Sequence, residues 1–382
     1  MATITFHPLG NADCYRIDLR GGQKLLFDYA DMRTTDEPGK ENGSKYIDLP
    51  TELRKDLKAA NRDSFDMVAF THFDNDHVCG AASFFELWHA DKYKGGDRIK
   101  MPMMWVPAWA ITGSRNDLCE DGMILQAEAR HRLEIGKGIR VFSRPDALKD
   151  WLAQKGIKLA DRANMITDAG QVVPGWTKEN HGVEFFVHSP FGSRQSDGTF
   201  TDPNNNCLVF QAVFLEGGRE TKALLMGDTE YPCIQEMARI TKYHGREERL
   251  AWDLVKLPHH CSYGALGPDK GKDKTVPVDE VAWLFGKQGG PGGQIVCTSE
   301  TIPASGDQTQ PPHRQAANYY RDVLKALGSG DKMLVTMEHP TVSAPRPMVV
   351  RRSAGITRSI AFSLQYCSTA CRADSVPRAS AL

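Results

Sequence analysis

His72, Asp74, Asp76 and His77 put four metal-binding side chains within six residues. Alternate positions along an extended segment can converge on one point, and the adjacent Asp76-His77 pair can face a second. Imidazole together with carboxylate suits zinc, manganese or iron. The apolar run Met67-Val68-Ala69-Phe70 directly before the motif reads as a buried strand, the rigid base that a metal site requires. Two further polar positions follow apolar runs in the same way. Asp228 comes after Ala223-Leu224-Leu225-Met226-Gly227, and His259-His260 after Leu254-Val255-Lys256-Leu257-Pro258. An aspartate so placed can bridge two cations, and a histidine can complete the second site. Taken singly, Gly-Asp is a common turn, and either histidine of the pair can serve only to hydrogen-bond a neighbour.

Strands and helices must carry these residues. Ile4 and Phe6, then Tyr15, Ile17 and Leu19, alternate around Gly10-Asn11 as an opening hairpin, and Gly21-Gly22 turns the chain into a third strand at Lys24–Asp28. Leu53, Leu57 and Ala60 have helical spacing over 50–61. Strand character returns at 185–187, 207–210, 223–226 and 253–257. A last strand-helix-strand passage covers 294–297, 315–327 and 333–335. Residues 81–150 read as a helical insertion whose Trp88, Trp105, Trp109, Met101, Met103 and Met104 form a satellite core, with a lid over the site as the alternative. The glycines from 286 to 293 lack the Gly-Lys-Ser/Thr ending of a phosphate loop and read as a surface loop. The expected organisation is a single domain over 1–370 and a loose tail at 371–382.

The 382 residues are 41% hydrophobic, enough for a sizeable core, and 47 Lys+Arg against 48 Asp+Glu leave a net charge of −1. No global field therefore draws the chain to nucleic acid or to a membrane surface. The longest dense apolar run, 101–111, is broken by Pro102 and Pro107 and too short to span a bilayer. Nine scattered cysteines do not form a disulfide framework, and the N-terminus lacks a signal-peptide pattern, so the expected setting is cytoplasmic.

Strand, His-x-Asp-x-Asp-His, strand-Gly-Asp and strand-His-His, in that order, resemble the metallo-β-lactamase fold. More narrowly, they resemble the hydrolase domain of bacterial DNA-uptake (competence) channel proteins and its free-standing relatives. Ile4–Asp13 followed by Leu25-Leu26-Phe27-Asp28 is similar to that branch's opening hairpin, and Asn204-Asn205-Asn206-Cys207-Leu208 to its Asn-rich turn. Asp253-Leu254-Val255-Lys256-Leu257-Pro258-His259-His260-Cys261-Ser262 resembles its Asp-x-x-Lys-x-x-His-His-Gly-Ser element, and 298–313 its late loop carrying a histidine, His313. The likeness runs in order over about 1–365, with 85–180 unmatched. It implies an α/β protein, a four-layer αβ/βα sandwich with the metals at one edge. Asp28 matches the motif-one aspartate that orients the metal loop. Asp74 stands where histidine is commonest, which makes the first site richer in oxygen. The usual third-motif histidine has no clear equivalent; His188 and the Asn204–Asn206 turn are the candidates. Cys261 replaces a glycine and reads as a small buried thiol.

The resemblance implies two divalent cations, zinc first and manganese second. His72, Asp74, Asp228 and the Asn turn would hold one, and Asp76, His77, Asp228 and His259 or His260 the other. Asn205, Asn206, Asp28 and Lys256 would support them. Such a pair activates a bridging water as hydroxide and stabilises charge on the attacked group. Asp76 and His313 are the candidate catalytic residues, His313 as proton donor to the leaving oxygen or as a helix cap. The implied activity is a phosphodiesterase or nuclease acting on nucleic acid or nucleotides. A metallohydrolase of an amide, lactone or thioester and a metal-stabilised binding module are the other readings. Arg130-His131-Arg132, Arg246, Arg249 and Arg351-Arg352 are candidate phosphate contacts. A partner protein or a defence-system setting is left open.

Overall fold

The computed structural model describes residues 2–34, 45–331, 333–352 and 362–365; the expected tail at 371–382 lies outside them. Alternation of apolar side chains builds two sheets. In the first lie β1 (Thr3–Phe6), β2 (Tyr15–Asp18), β3 (Lys24–Phe27), β4 (Met67–Ala69), β5 (Met104–Pro107), β6 (Ile139–Phe142), β7 (Ile166–Thr167), β14 (Met348–Arg352) and β15 (Phe362–Gln365). The second holds β8 (Val183–Ser189), β9 (Val209–Glu216), β10 (Arg219–Met226), β11 (Trp252–Lys256), β12 (Gly289–Cys297) and β13 (Leu334–Val335). Among the described residues their orders are β15-β14-β1-β2-β3-β4-β5-β6-β7 and β13-β12-β11-β10-β9-β8. In the first sheet β3 to β7 run parallel, and in the second β10 to β13 do.

The two-residue period of each strand sorts its side chains between two cores. Leu25, Phe27, Met67 and Ala69 face across to Phe185, Phe210, Ala223, Leu225 and Leu254 in a core between the sheets. Leu26 and Val68 point the other way, onto α1 (Leu49–Ala59), whose Leu49, Leu53 and Leu57 are buried. A helical turn, α2 (Asn75–Val78), leaves the end of β4, and α3 (Glu120–Ile135) and α4 (Asp146–Gln154) complete this outer layer. On the far side Leu224, Met226 and Val255 pack beneath α5 (Tyr231–Tyr243), α6 (Asp279–Lys287) and α7 (Arg314–Ala326). Helix, sheet, sheet, helix is the four-layer αβ/βα sandwich expected of the metallo-β-lactamase fold.

Two expectations change. Residues 81–150 are not a helical layer alone, because β5 and β6 extend the first sheet in parallel. Each strand is four residues long, so the sixteen-residue α3 dominates the sequence pattern there. The aromatic residues serve the core and not a lid. Trp105 lies between the sheets, and Trp88 stacks on the buried Arg132 guanidinium at 3.8 Å. Arg132 in turn pairs with Glu128, which also accepts the Trp88 and His89 amides. The stretch 289–293 is likewise strand, not surface loop. A Cβ on Gly289 would sit 2.6 Å from the Trp252 ring, so the glycine lets this large side chain lie flat on β12.

Candidate metal centre

The motif occupies the junction where the two sheets meet end to end. β4 stops at Ala69, and the chain crosses His72 to Asp74 before α2 begins at Asn75. Backbone bonds clamp this loop from both sides. Leu208 N–H donates to the Thr71 carbonyl (3.0 Å), Gly227 N–H to the Leu208 carbonyl (3.2 Å), and Asp13 N–H to the Asp76 carbonyl (3.0 Å). Gly227 permits the approach: a Cβ there would stand 3.1 Å from Thr71 Cβ and 3.0 Å from Cys207 Sγ. Asp228 and β10 are thereby drawn against a loop that begins about 150 residues earlier.

Asp76, His77, Asp228 and His260 converge so that one ligand atom of each lies within 4.8 Å of the others. His260 Nε2 is 3.2 Å from Asp76 Oδ2 and 3.3 Å from Asp228 Oδ2, and His77 Nε2 is 3.3 Å from Asp228 Oδ1. That last pair is close but not aligned as a hydrogen bond, so both atoms lack a partner although buried. His72 Nε2 is also buried and unpartnered, 3.7 Å from Asp74 Oδ2, and the His72 and His77 rings lie 3.9 Å apart. Buried polar atoms are rarely left without partners, and a cluster of them facing one point fits a cation.

The ring orientations follow from the groups behind them. The His260 Nδ1 donates to the Thr298 carbonyl at 2.6 Å, since a carbonyl only accepts. His77 Nδ1 donates to Asp28 Oδ2 at 3.0 Å. Thr71 Oγ1 gives its one proton to Asp28 Oδ2 (2.8 Å), so it accepts from His72 Nδ1 (3.1 Å). In all three rings Nδ1 carries the anchoring proton, so Nε2 is the atom that faces the site, and a cation would take the place of any proton there. Asp28 accepts Thr71 N–H as well (2.6 Å), from a left-handed backbone with φ 54°.

Charge in the cluster is strongly coupled. Burial alone would lower His77 and His260, yet Asp228, with Asp28 and Asp76 around His77, holds both well above the ordinary imidazole range. Burial opposes ionisation of Asp76 as well, but His77 and His260 bring it down to about 2. Burial lowers His72 to about 4, with His77 adding to the effect, and raises Asp74 to about 6.

The Asn204–Asn206 turn and His188, the two third-motif candidates, differ in what their polar atoms meet. Asn206 is fully buried and donates both Nδ2 protons, to the Phe200 and Asp202 carbonyls at 2.9 Å each. Its flip is thus fixed, and Oδ1 is left buried without a partner. Asn205 bonds to Glu230 and the Asn204 backbone N–H donates to Asp202 Oδ1, while the Oδ1 atoms of both are likewise buried without a partner. His188 is not a candidate ligand: its Nε2 donates to the Arg249 carbonyl at 2.8 Å on the outer face of β8.

Two sequence candidates do not join the cluster. The His259 ring stands 6.4 Å from that of His260 at 78°, turned toward Glu230. Three successive left-handed residues, His259, His260 and Cys261 (φ 48°, 49° and 67°), send the paired histidines apart. His313 is buried with both nitrogens bonded to backbone, Nδ1 accepting Tyr263 N–H and Nε2 donating to the Thr309 carbonyl, each at 3.3 Å. Its Nε2 proton is directed at the Thr309 carbonyl, and it stands at the N-cap of α7 without a side-chain capping bond. The Cys261 thiol is buried beside Cys297. Three of the basic candidates are engaged elsewhere: Arg132 is buried on Glu128, Arg130 donates to the Ile111 carbonyl, and Arg249 pairs with Glu184.

Asp13 and Thr298 were not singled out from the sequence. Asp13, Asp28 and His77 form a second cluster of possible ligands. A cation is already present there, since the fully buried Lys256 ammonium pairs with Asp13. Burial would lower Lys256, but Asp13 and Asp228 more than offset it and keep the ammonium charged. Only the position of Asp13, just before the β2 strand, hinted at this.

No family model matches the chain, and no curated protein matches it. Solved structures do. Unliganded yeast PDE1 aligns over 88% of this chain and 98% of its own, at 11% identity and a TM-score of 0.42. A diphosphatase from the PhnP family aligns over 78% and 87% (10% identity, TM-score 0.30). BJP-1, a subclass B3 metallo-β-lactamase of Bradyrhizobium japonicum, aligns over 73% and 88% (12%, 0.28). Among the described residues no helix is long and apolar enough to cross a membrane.

Proposed function

We propose that the chain is a metal-dependent hydrolase whose substrate is a phosphodiester of a nucleotide or nucleic acid. The observation that carries the reading is the convergence of Asp76, His77, Asp228 and His260 on one point, with the His72 ring 3.9 Å from that of His77 and all three imidazoles anchored from behind through Nδ1. His260, His77, Asp76 and Asp228 would hold one divalent cation. His72, Asp74, Asn206 Oδ1 and Asp228 would hold the other. With one imidazole among three oxygen donors, this second set takes manganese as readily as zinc. When bound, the cations would supply Lewis acidity and lower the pKa of a water nucleophile. Asp28, Thr71 and Thr298 orient the imidazoles, Asp228 is positioned to be shared, and Lys256 keeps Asp13 from competing for the ion. Half-exposed His259, next to Glu230 and Asn205, faces the side from which substrate would arrive.

The nucleotide reading rests on the Asp-x-x-Lys-x-x-His-His element and the Asn-rich turn, which resemble the DNA-uptake branch. We take 1–370 as one hydrolase unit, and a cytoplasmic setting goes with the unpaired thiols. The test is metal content together with hydrolysis of bis-p-nitrophenyl phosphate and of single- and double-stranded DNA and RNA, with zinc and with manganese. An Asp76→Ala, His77→Ala double variant serves as control. About two cations per chain and variant-sensitive cleavage are expected. Stoichiometric metal without phosphodiester cleavage would move the substrate to an amide, lactone or thioester, and no stoichiometric metal would end the catalytic reading.

A further inference from the structure

Away from the metal centre, on the outer face of the second sheet, a cavity of about 380 Å³ opens between β8, the strap 169–171 and the last turns of α5. Its volume lies within the roughly 300–1,000 Å³ of small-molecule sites. Phe186, Phe191, Met237 and Ile240 supply apolar walls. The strap is a fixed wall, because Gly170 N–H donates to the Val187 carbonyl (2.8 Å) and Val187 N–H to the Gln171 carbonyl (2.9 Å). The site therefore exists before any ligand arrives, and binding need not order a loop.

Two polar features define what would fill it. His188 lines the cavity, and its Nε2 proton is committed to the Arg249 carbonyl. Burial, with Arg249 nearby, lowers its pKa to about 4. The ring is neutral at physiological pH, so Nδ1 is an acceptor and its natural partner is an N–H or O–H. At the mouth, exposed Arg246 touches the Gly170 carbonyl at 3.4 Å and meets no carboxylate among the described residues. Exposed His244 stands at the same rim, while the neighbouring carboxylate of Asp168 is taken by Arg144. An apolar body, a ring donor at depth and an anion at the entrance match this arrangement.

We propose that this cavity is a second ligand site, for a small aromatic carboxylate bearing a ring N–H or O–H. The placement gives the site a route to the metal centre. α5 begins three residues after Asp228, and its cavity-lining residues lie roughly 10–20 Å along its axis. β8 leads through Phe191 to the Asn204–Asn206 turn. Occupancy would thus brace the two elements that carry Asp228 and Asn206.

The experiment is calorimetric titration of the full chain with indole-3-acetate and with 1-naphthaleneacetate, which has the same bulk and charge but no ring donor. Two variants accompany it: Arg246→Ala, a surface change, and Ile240→Trp, which fills the cavity. One-site binding of indole-3-acetate is expected, weakened about tenfold in Arg246→Ala, the worth of one charge-assisted contact. The naphthalene compound should bind about fivefold more weakly, for the missing neutral hydrogen bond. Ile240→Trp should abolish binding while keeping the wild-type circular dichroism; if it does not fold, Arg246→Ala and the two-ligand comparison decide. Absence of saturable binding at millimolar ligand, or equal affinity in wild type and Arg246→Ala, would overturn the proposal.

Discussion

Asp28→Asn isolates the tautomer logic of the metal centre. The asparagine tolerates the left-handed backbone (φ 54°), so no strain confounds the change. Asp28 has three donors facing it: Thr71 N–H, Thr71 Oγ1–H and His77 Nδ1–H. Thr71 N–H cannot reverse, so it captures the new amide oxygen at the Oδ1 position. The amide nitrogen must then occupy the Oδ2 position and point its protons at His77 Nδ1 and at the Thr71 hydroxyl. The hydroxyl can turn and accept; His77 can accept only by moving its proton to Nε2, the atom that would bind the ion. Losing an orienting carboxylate behind a ligand histidine weakens metal affinity by about 10- to 100-fold, or about 1.4–2.7 kcal/mol. The assay is competition against a chromophoric chelator, with denaturant unfolding run in parallel. The expected result is one of two cations weakened within that range while the folded state persists. Unchanged affinity for both cations would refute the argument that Asp28 sets the His77 tautomer.

Lys256→Met should destabilise the protein by about 3–5 kcal/mol by leaving Asp13 buried and unpaired, and adding Asp13→Leu should recover most of the loss; denaturant midpoints of the two variants check this. His313→Leu should lower stability by about 1–2 kcal/mol through the two backbone partners it abandons, with kcat on a phosphodiester unchanged. His188 gives a pH signature: the unfolded chain takes up its proton near the ordinary value of 6.5 and the folded chain only near 4, so stability is lost as pH falls through that window. In His188→Gln the decline between those pH values should be shallower, as followed by thermal melts.

What the sequence disclosed and what it withheld divide along physical lines. The motif at 72–77 was legible because Met67-Val68-Ala69-Phe70 is the uninterrupted apolar run of a strand buried on both faces, and a polar cluster at its end has few other uses. The strands at 223–226 and 253–257 were legible from the same kind of run, whereas the four-layer architecture was implied by the resemblance to the metallo-β-lactamase fold. The choice between His259 and His260 was not legible. It depends on consecutive left-handed residues, a conformation that sequence normally advertises with glycine, and none of the three is glycine. The part played by Asp13 was hidden because its partner, Lys256, lies far along the chain and a buried ion pair leaves no periodic trace. At 104–107 and 139–142 short strands beside prolines and a long helix gave too brief a pattern to register. At 289–293 glycines that suggest a turn instead make room for Trp252.

The centre draws its donors from both sheets: His72, Asp76 and His77 follow β4, whereas Asp228 follows β10 and His260 follows β11. A ribosome adding about 5–20 residues per second delivers Asp228 some 8–30 s after His77. Throughout that interval the emerging chain has a sheet, a helical cover and half a binding site. Asp228 and His260 are what the early half still lacks. In the proposed site, metal loading would therefore be a receipt issued on completed assembly, and a truncated or misdocked chain would lack the full ligand set.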